Sequence, residues 1–245
     1  MRFGRCILAL MLALAGCGER PVERTEWVQM GTVAAVQARG PVTVELVDAV
    51  RESLDGLEKL LNIHDLSSEI CSLATLSDDE VLARCSAAVR PCYAAAFALS
   101  KETVGAFNPR WKGANTLDLG AIAKGFSLDE AAKRLTPSVP TLLDLGGNLK
   151  ACKGTWRVGV KSGGSFVLKE GEACATSANY YRDGHIRDGR TGGVVTGAVY
   201  SVTVIHPTSA MMADGLSTTL FVLGREKGES FLRQHYPEAR VVWTE

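Results

Sequence analysis

The first regular alternation of apolar and polar positions runs through Leu46, Val50, Leu54, Leu57 and Leu61. Steps of three and four residues keep these side chains on one face of a helix, so an amphipathic helix is expected across this stretch. Pro91 suits the start of a second, Ala-rich helix over 92–102, because a proline in a first turn gives up an N–H that has no partner there. A third helix, 122–135, opens directly after Asp118-Leu119-Gly120-Ala121, and further helices are expected over 211–223 and 226–235. Leu142-Leu143-Asp144-Leu145 reads as a short buried strand broken by Gly146-Gly147-Asn148. Other strands are expected near 155–160, 172–176, 199–205 and 239–243. Residues 65–79 are polar and irregular, and Gly105 to Gly113 reads as a loop. Strands and helices mix without strict βαβ alternation, so the fold class is α+β.

Composition narrows the function classes. The 245 residues carry 27 basic and 27 acidic side chains, 46% apolar and 22% charged, which is the make-up of a folded soluble protein. Zero net charge argues against a nucleic-acid partner, whose footprint is a basic excess. The N-terminal segment stands apart: Arg2 and Arg5 precede an apolar run from Ile7 to Ala15 that is too short to span a bilayer. It ends in Leu14-Ala15-Gly16-Cys17, which looks like a bacterial lipobox with Cys17 as the acylated residue. Residues 1–16 are therefore expected to be a lipoprotein signal peptide, 17–29 a tether, and 30–245 the domain. The lipid would anchor that domain to a bacterial membrane, facing the periplasm or the cell exterior. Removing 1–16 leaves 25 basic against 27 acidic residues, a mature charge of −2. Five further cysteines, Cys71, Cys85, Cys92, Cys152 and Cys174, have no zinc-site spacing, and in an oxidising compartment some are expected to pair as structural disulfides.

Three segments could carry chemistry. In Asp118-Leu119-Gly120-Ala121-Ile122-Ala123-Lys124-Gly125, a glycine turn leads into a helix whose free N–H groups and Lys124 suit an anion. Asp118 could accept a hydrogen bond from a nucleobase or ribose. The same residues are equally a plain strand–helix turn with a surface lysine. Asp214 and Thr218 stand four apart, so on a helix they share a face, and a carboxylate with a hydroxyl suits Mg²⁺ bridged to phosphates. Taken alone, an Asp near a helix start is more often a cap. His185, in His185-Ile186-Arg187-Asp188-Gly189-Arg190-Thr191-Gly192, could be a general base or merely a solvated loop residue.

In order, these segments resemble the FAD:protein FMN transferases, the ApbE-like lipoproteins. Met30-Gly31-Thr32, Ser68-Glu69, Gly105-Ala106-Phe107-Asn108-Pro109, Asp118 to Gly125, Gly146-Gly147-Asn148, Ala175-Thr176-Ser177, His185 to Gly192 and Asp214 through Thr218 fall where that family has its motifs. The resemblance implies a single compact domain of mixed sheets with packed helices. It implies Mg²⁺-dependent transfer of FMN from FAD to a Thr or Ser hydroxyl of an exported flavoprotein subunit, with release of AMP. Met30, Asp118, Lys124 and Ile186 would contact FAD; the Ala121 carbonyl, Asp214 and Thr218 would hold the metal; His185 would be the base. Hydrolysis of FAD to FMN and AMP, or FAD binding without catalysis, are the alternatives. The chain departs from the family pattern in a shorter stretch between Phe107 and Asp118, a shorter one around 176–186, Ala178 in place of a Gly, and His64 where a Tyr is common.

Overall fold

The computed structural model describes residues 21–161, 164–178, 184, 186–196 and 201–244. Its centre is a seven-stranded sheet in the order β1-β2-β3-β4-β7-β8-β9, antiparallel throughout. The strands are β1 (Glu23–Gln29), β2 (Thr32–Ala38), β3 (Thr141–Leu145), β4 (Asn148–Lys153), β7 (Ala173–Ala178), β8 (Ser201–His206) and β9 (Arg240–Thr244). Between β4 and β7, strands β5 (Trp156–Gly159) and β6 (Ser165–Leu168) form a separate ribbon. Five helices are inserted between the neighbouring strands β2 and β3: α1 (Val44–Leu61), α2 (Glu69–Leu73), α3 (Asp78–Arg84), α4 (Arg90–Glu102) and α5 (Ala123–Lys133). Helices α6 (Ala210–Leu223) and α7 (Arg225–His235) join β8 to β9. The α+β class is as expected, and no helix among the described residues is long and apolar enough to cross a membrane.

Period-two alternation assigns the two faces of the sheet. Leu143, Leu145 and Ala173 meet Val50 and Leu54 of α1 and Leu128 and Ala131 of α5. Leu142, Ala151, Cys174 and Ile205 turn the other way and pack with Trp156 and Leu168 of the ribbon. The stripe read from the sequence is the buried face of α1, except that Leu46 is half-buried and Val47 buried; Thr43 caps its N-terminus by accepting from the Leu46 N–H.

Three expectations need correction. Residues 23–29, placed in the tether, form β1, pairing with all of β2 from Glu23↔Ala38 to Gln29↔Thr32. Charged residues on an edge strand disguise it, because one side of such a strand faces water and charge there guards against stray pairing. Residues 65–79 are not irregular throughout, since α2 starts on a Ser68 cap and α3 on a Ser77–Glu80 capping box. The cysteines are free thiols as well. Leu149↔Cys174 is a register pair, so Cys152 lies three positions along β4, about 10 Å away and beyond disulfide reach. Burial pushes the Cys152 and Cys174 thiols up to about 12, leaving them inert. Residues 1–16, expected to be a signal peptide, and Cys17 lie outside the described residues.

The end of β8 carries a titratable joint. His206 Nδ1 accepts from the Thr208 and Ser209 N–H groups at 3.3 and 3.0 Å, fixing the turn into α6. Burial holds this imidazole below its ordinary 6.5, against a weaker opposing pull from Glu238. The unfolded chain therefore binds the proton more readily, and stability is expected to fall as pH drops below about 6.5. In thermal melts between pH 5 and 7.5, His206→Asn, which keeps an acceptor but does not titrate, should lose part of that dependence.

Candidate active site

At one end of the sheet the tips of two hairpins stand together. Met30-Gly31 joins β1 to β2 and Gly146-Gly147 joins β3 to β4, each as a two-residue turn with positive φ at both positions. A Cβ on Gly146 would lie 2.7 Å from Thr32 Oγ1, so this tip must be glycine to sit against the other. Met30 holds φ 48°, a strained conformation for a residue with a side chain. Glu58 of α1 steadies it, its carboxylate accepting from the Met30 N–H at 3.3 Å and from the Gln29 side chain.

Behind the tips, α5 and α6 cross closely in opposite directions and cap each other. The Gly125 N–H, in the first turn of α5, donates to Asp214 Oδ2 at 3.0 Å. In return Asp129 of α5 accepts from the Ala210 and Met211 N–H groups and from the Ser209 hydroxyl, at 2.8–3.0 Å, at the N-terminus of α6. A carboxylate at each helix start, Asp214 buried and Asp129 half-buried, offsets the unpaired N–H groups and the positive end of the dipole. Lys150 of β4 lies 3.2 Å from Asp129 and so balances its charge. A Cβ on Gly125 would come within 2.1 Å of the Ala210 carbonyl oxygen, so only glycine permits this crossing.

These elements enclose a cavity of about 1010 Å³. Met30, Asp118, Ala121, Lys124, Ile186, Asp214 and Thr218, the expected site residues within the described chain, all line it. His185 lies outside the described residues. Asp214 is 5% exposed, with Oδ2 held by Gly125 and with Lys124 Nζ at 3.7 Å. Its Oδ1 has no hydrogen-bond partner among the described residues. Asp214 does cap a helix, but α5 rather than its own, whose N-cap is Ser209. Lys124 also donates to the Gly120 carbonyl at 2.9 Å. Asp118 is more committed than its sequence context implied: Oδ1 accepts from the Gly120 N–H and Oδ2 from Lys112, both at 2.9 Å. A ligand group reaching its Oδ2 must therefore displace Lys112.

The cavity wall includes residues to which the sequence reading gave no role. Trp111 and Arg187 line it together, the guanidinium 5.4 Å from the ring centroid, where the stretch after Phe107 is short. Asn148 is 3% exposed and its side-chain nitrogen has no partner among the described residues, an open donor in the wall beside the glycine tip. His64 lines the cavity mouth as an exposed residue. The loop that carries Ile186 is docked by Asn108, which donates to the Gly189 carbonyl, and is braced internally by a bidentate Arg190–Asp188 pair whose hydrogen bonds hold the Asp188 carboxyl below its usual range. Among the described residues no three His, Cys, Asp or Glu side chains cluster to hold a metal. One carboxylate with neutral oxygens from Thr218 and Ala121 suits instead a hard cation that shares its shell with phosphates and water.

The model of the ApbE family matches residues 110–243, more than half of the chain. This chain belongs to the ApbE family. It is 38% identical over 136 residues to an FAD:protein FMN transferase of Klebsiella pneumoniae (strain 342), covering 48% of this chain and 42% of that protein. It is 33% identical over 135 residues to one of Haemophilus influenzae, covering 45% and 38%. The chain thus spans about two fifths of the length of the curated relatives it matches. Among solved structures, the apo flavinyl transferase ApbE of Pseudomonas stutzeri superposes with a TM-score of 0.75 at 23% identity, over 94% of this chain and 92% of the other. The ApbE protein of Thermotoga maritima gives 0.73 at 22%, over 91% and 94%. These two likenesses establish the ApbE fold.

Two substitutions test the packing of the site. Gly125→Ala is expected to cost about 1–3 kcal/mol or more by urea denaturation, since helix backbones must move apart; an unchanged midpoint would contradict the tight crossing. Asn148→Leu, which removes an unpaired donor at similar volume, should leave the free protein level or up to about 1 kcal/mol more stable in the same assay.

Proposed function

We propose that this ApbE-family protein transfers FMN from FAD to a Thr or Ser hydroxyl of an exported flavoprotein, releasing AMP and requiring Mg²⁺. The observation that carries the reading is Asp214, a buried carboxylate with one oxygen fixed by the Gly125 N–H and the other without a partner among the described residues, on the wall of the cavity that Met30, Asp118, Lys124 and Ile186 also line. The names of the relatives support it. Asp214, Thr218 and the Ala121 carbonyl would hold the Mg²⁺. When bound, the ion neutralises pyrophosphate charge and stabilises the AMP leaving group.

The acceptor hydroxyl oxygen forms a bond to the FMN-side phosphorus, the phosphoanhydride bond to AMP breaks, and the hydroxyl proton passes to a base, for which His185 is the candidate. The product is a phosphoester. Lys124 places a positive charge beside the pyrophosphate, and Met30, Asp118 and Ile186 position the rest of FAD. Catalysis of this kind depends on positioning and charge, so a rigid helix crossing is a suitable base for it. Cys17 would carry the lipid that holds the domain at a bacterial membrane, facing the periplasm or the exterior.

The test is to incubate the protein with FAD, Mg²⁺ and a candidate flavoprotein acceptor, then weigh the acceptor for an added FMN and assay AMP. Asp214→Ala is expected to lower both about 10²-fold or more. FMN released free, with no mass gained by the acceptor, would mean hydrolysis of FAD in place of transfer.

A further inference from the structure

Three hydroxyls meet where β7 faces α6. Ser177 Oγ lies 2.9 Å from Ser217 Oγ and 3.2 Å from Thr218 Oγ1, and Ser217 Oγ lies 2.9 Å from the Asp214 carbonyl oxygen. Ser217 is 1% exposed and Ser177 8%, so these contacts are sheltered from solvent. Each hydroxyl has one proton, and a carbonyl can only accept. A single arrangement makes all three hydrogen bonds. Ser217 donates to the Asp214 carbonyl, Ser177 donates to Ser217, and Thr218 donates to Ser177.

That order fixes the direction of the last hydroxyl. With its proton committed to Ser177, the Thr218 oxygen is left with lone pairs only, one turn from the Oδ1 of Asp214, which has no partner among the described residues. A hydroxyl that must present lone pairs to a cation gains from a partner that takes its proton. We infer that Ser177 is a positioning residue for a divalent cation: through the chain Thr218–Ser177–Ser217–Asp214 carbonyl it turns the Thr218 oxygen into an acceptor aimed at the metal. Outer partners of this kind typically carry 10–100-fold in metal affinity. The inference rests on the proposed assignment of Asp214 and Thr218 to the cation.

The probe is Mn²⁺, titrated into the full-length chain and followed by the electron paramagnetic resonance signal of the free ion, with and without FAD. Ser177→Ala is expected to raise the Mn²⁺ dissociation constant about tenfold, while Ser177→Thr, which keeps the hydroxyl, restores most of the affinity. A merely structural serine would show no such split between Ala and Thr at equal melting temperature. Asp214→Ala should abolish binding. If Asp214→Ala binds Mn²⁺ like the parent, the cation assignment itself is wrong. If it loses binding and Ser177→Ala keeps the parental constant, the Ser177 relay alone is overturned. Should Ser177→Ala fail to fold, Ser217→Ala carries the test: it frees the Ser177 proton to turn towards Thr218, so weaker Mn²⁺ binding is expected, and parental affinity overturns the relay.

Discussion

The structure of this site depends on the contact between Gly125 and Asp214. Two helices that start near the same sheet could approach only as far as their side chains allow, and at this crossing one helix has none. The missing Cβ admits the Ala210 carbonyl and the Asp214 side chain, so the carboxylate reaches an N–H in the first turn of α5. Asp129 makes the reciprocal contact one helical turn along. Withdrawing two carboxylates from water, Asp214 fully and Asp129 in part, would ordinarily be costly, but each meets backbone donors at a helix start and a lysine nearby, Lys124 or Lys150. The exchange sets the registry of α5 against α6. Since Ala121 and Lys124 precede or begin one helix and Asp214 and Thr218 belong to the other, that registry also sets the proposed cation site.

A zero net charge offers no long-range pull on an anionic ligand, so attraction for a pyrophosphate must be local. Part of the positive end of α5 is already used by Asp214. The helix start is thus less an open anion cradle than a clamp on a carboxylate, and it is that carboxylate, with a cation added, that would meet phosphate.

What could be read from the sequence divides along physical lines. Amphipathic periodicity placed α1, Pro91 and the Asp118–Ala121 turn placed α4 and α5, and the expected helices 211–223 and 226–235 match α6 and α7, all to within about two residues. The cavity residues were legible as a family pattern, and the chain folds them to one place. Strand β1 was hidden because Glu23, Arg24 and Glu26 on an edge strand look like a solvated tail. Asp129 and Lys150 were hidden for a different reason: their importance lies in a pairing across 21 residues of chain and with the start of α6, which no local pattern announces. The free cysteines follow the same rule, since residue type and compartment suggested pairing, whereas the register of β4 against β7 forbids one such pair.

The two ends of the cavity are built to different tolerances, and this bears on how the shortened loops can be accommodated. The helix crossing is close-packed, with Asp214 Oδ2 and both oxygens of Asp129 committed to named partners. The opposite wall is made of hairpin tips, where Gly147 has open space about it, Asn148 has an unused donor and Met30 holds a strained backbone. Strain and unsatisfied polarity both cost stability, and a fold retains them where a bound group repays the cost. Trp111, flanked by Lys112 and Arg187, supplies an aromatic face on the same cavity despite the short stretch before Asp118. The shortened stretch before Asp118 therefore leaves the α5–α6 crossing untouched, and under the proposed function recognition of the remainder of the ligand would fall to Trp111, Arg187 and Asn148.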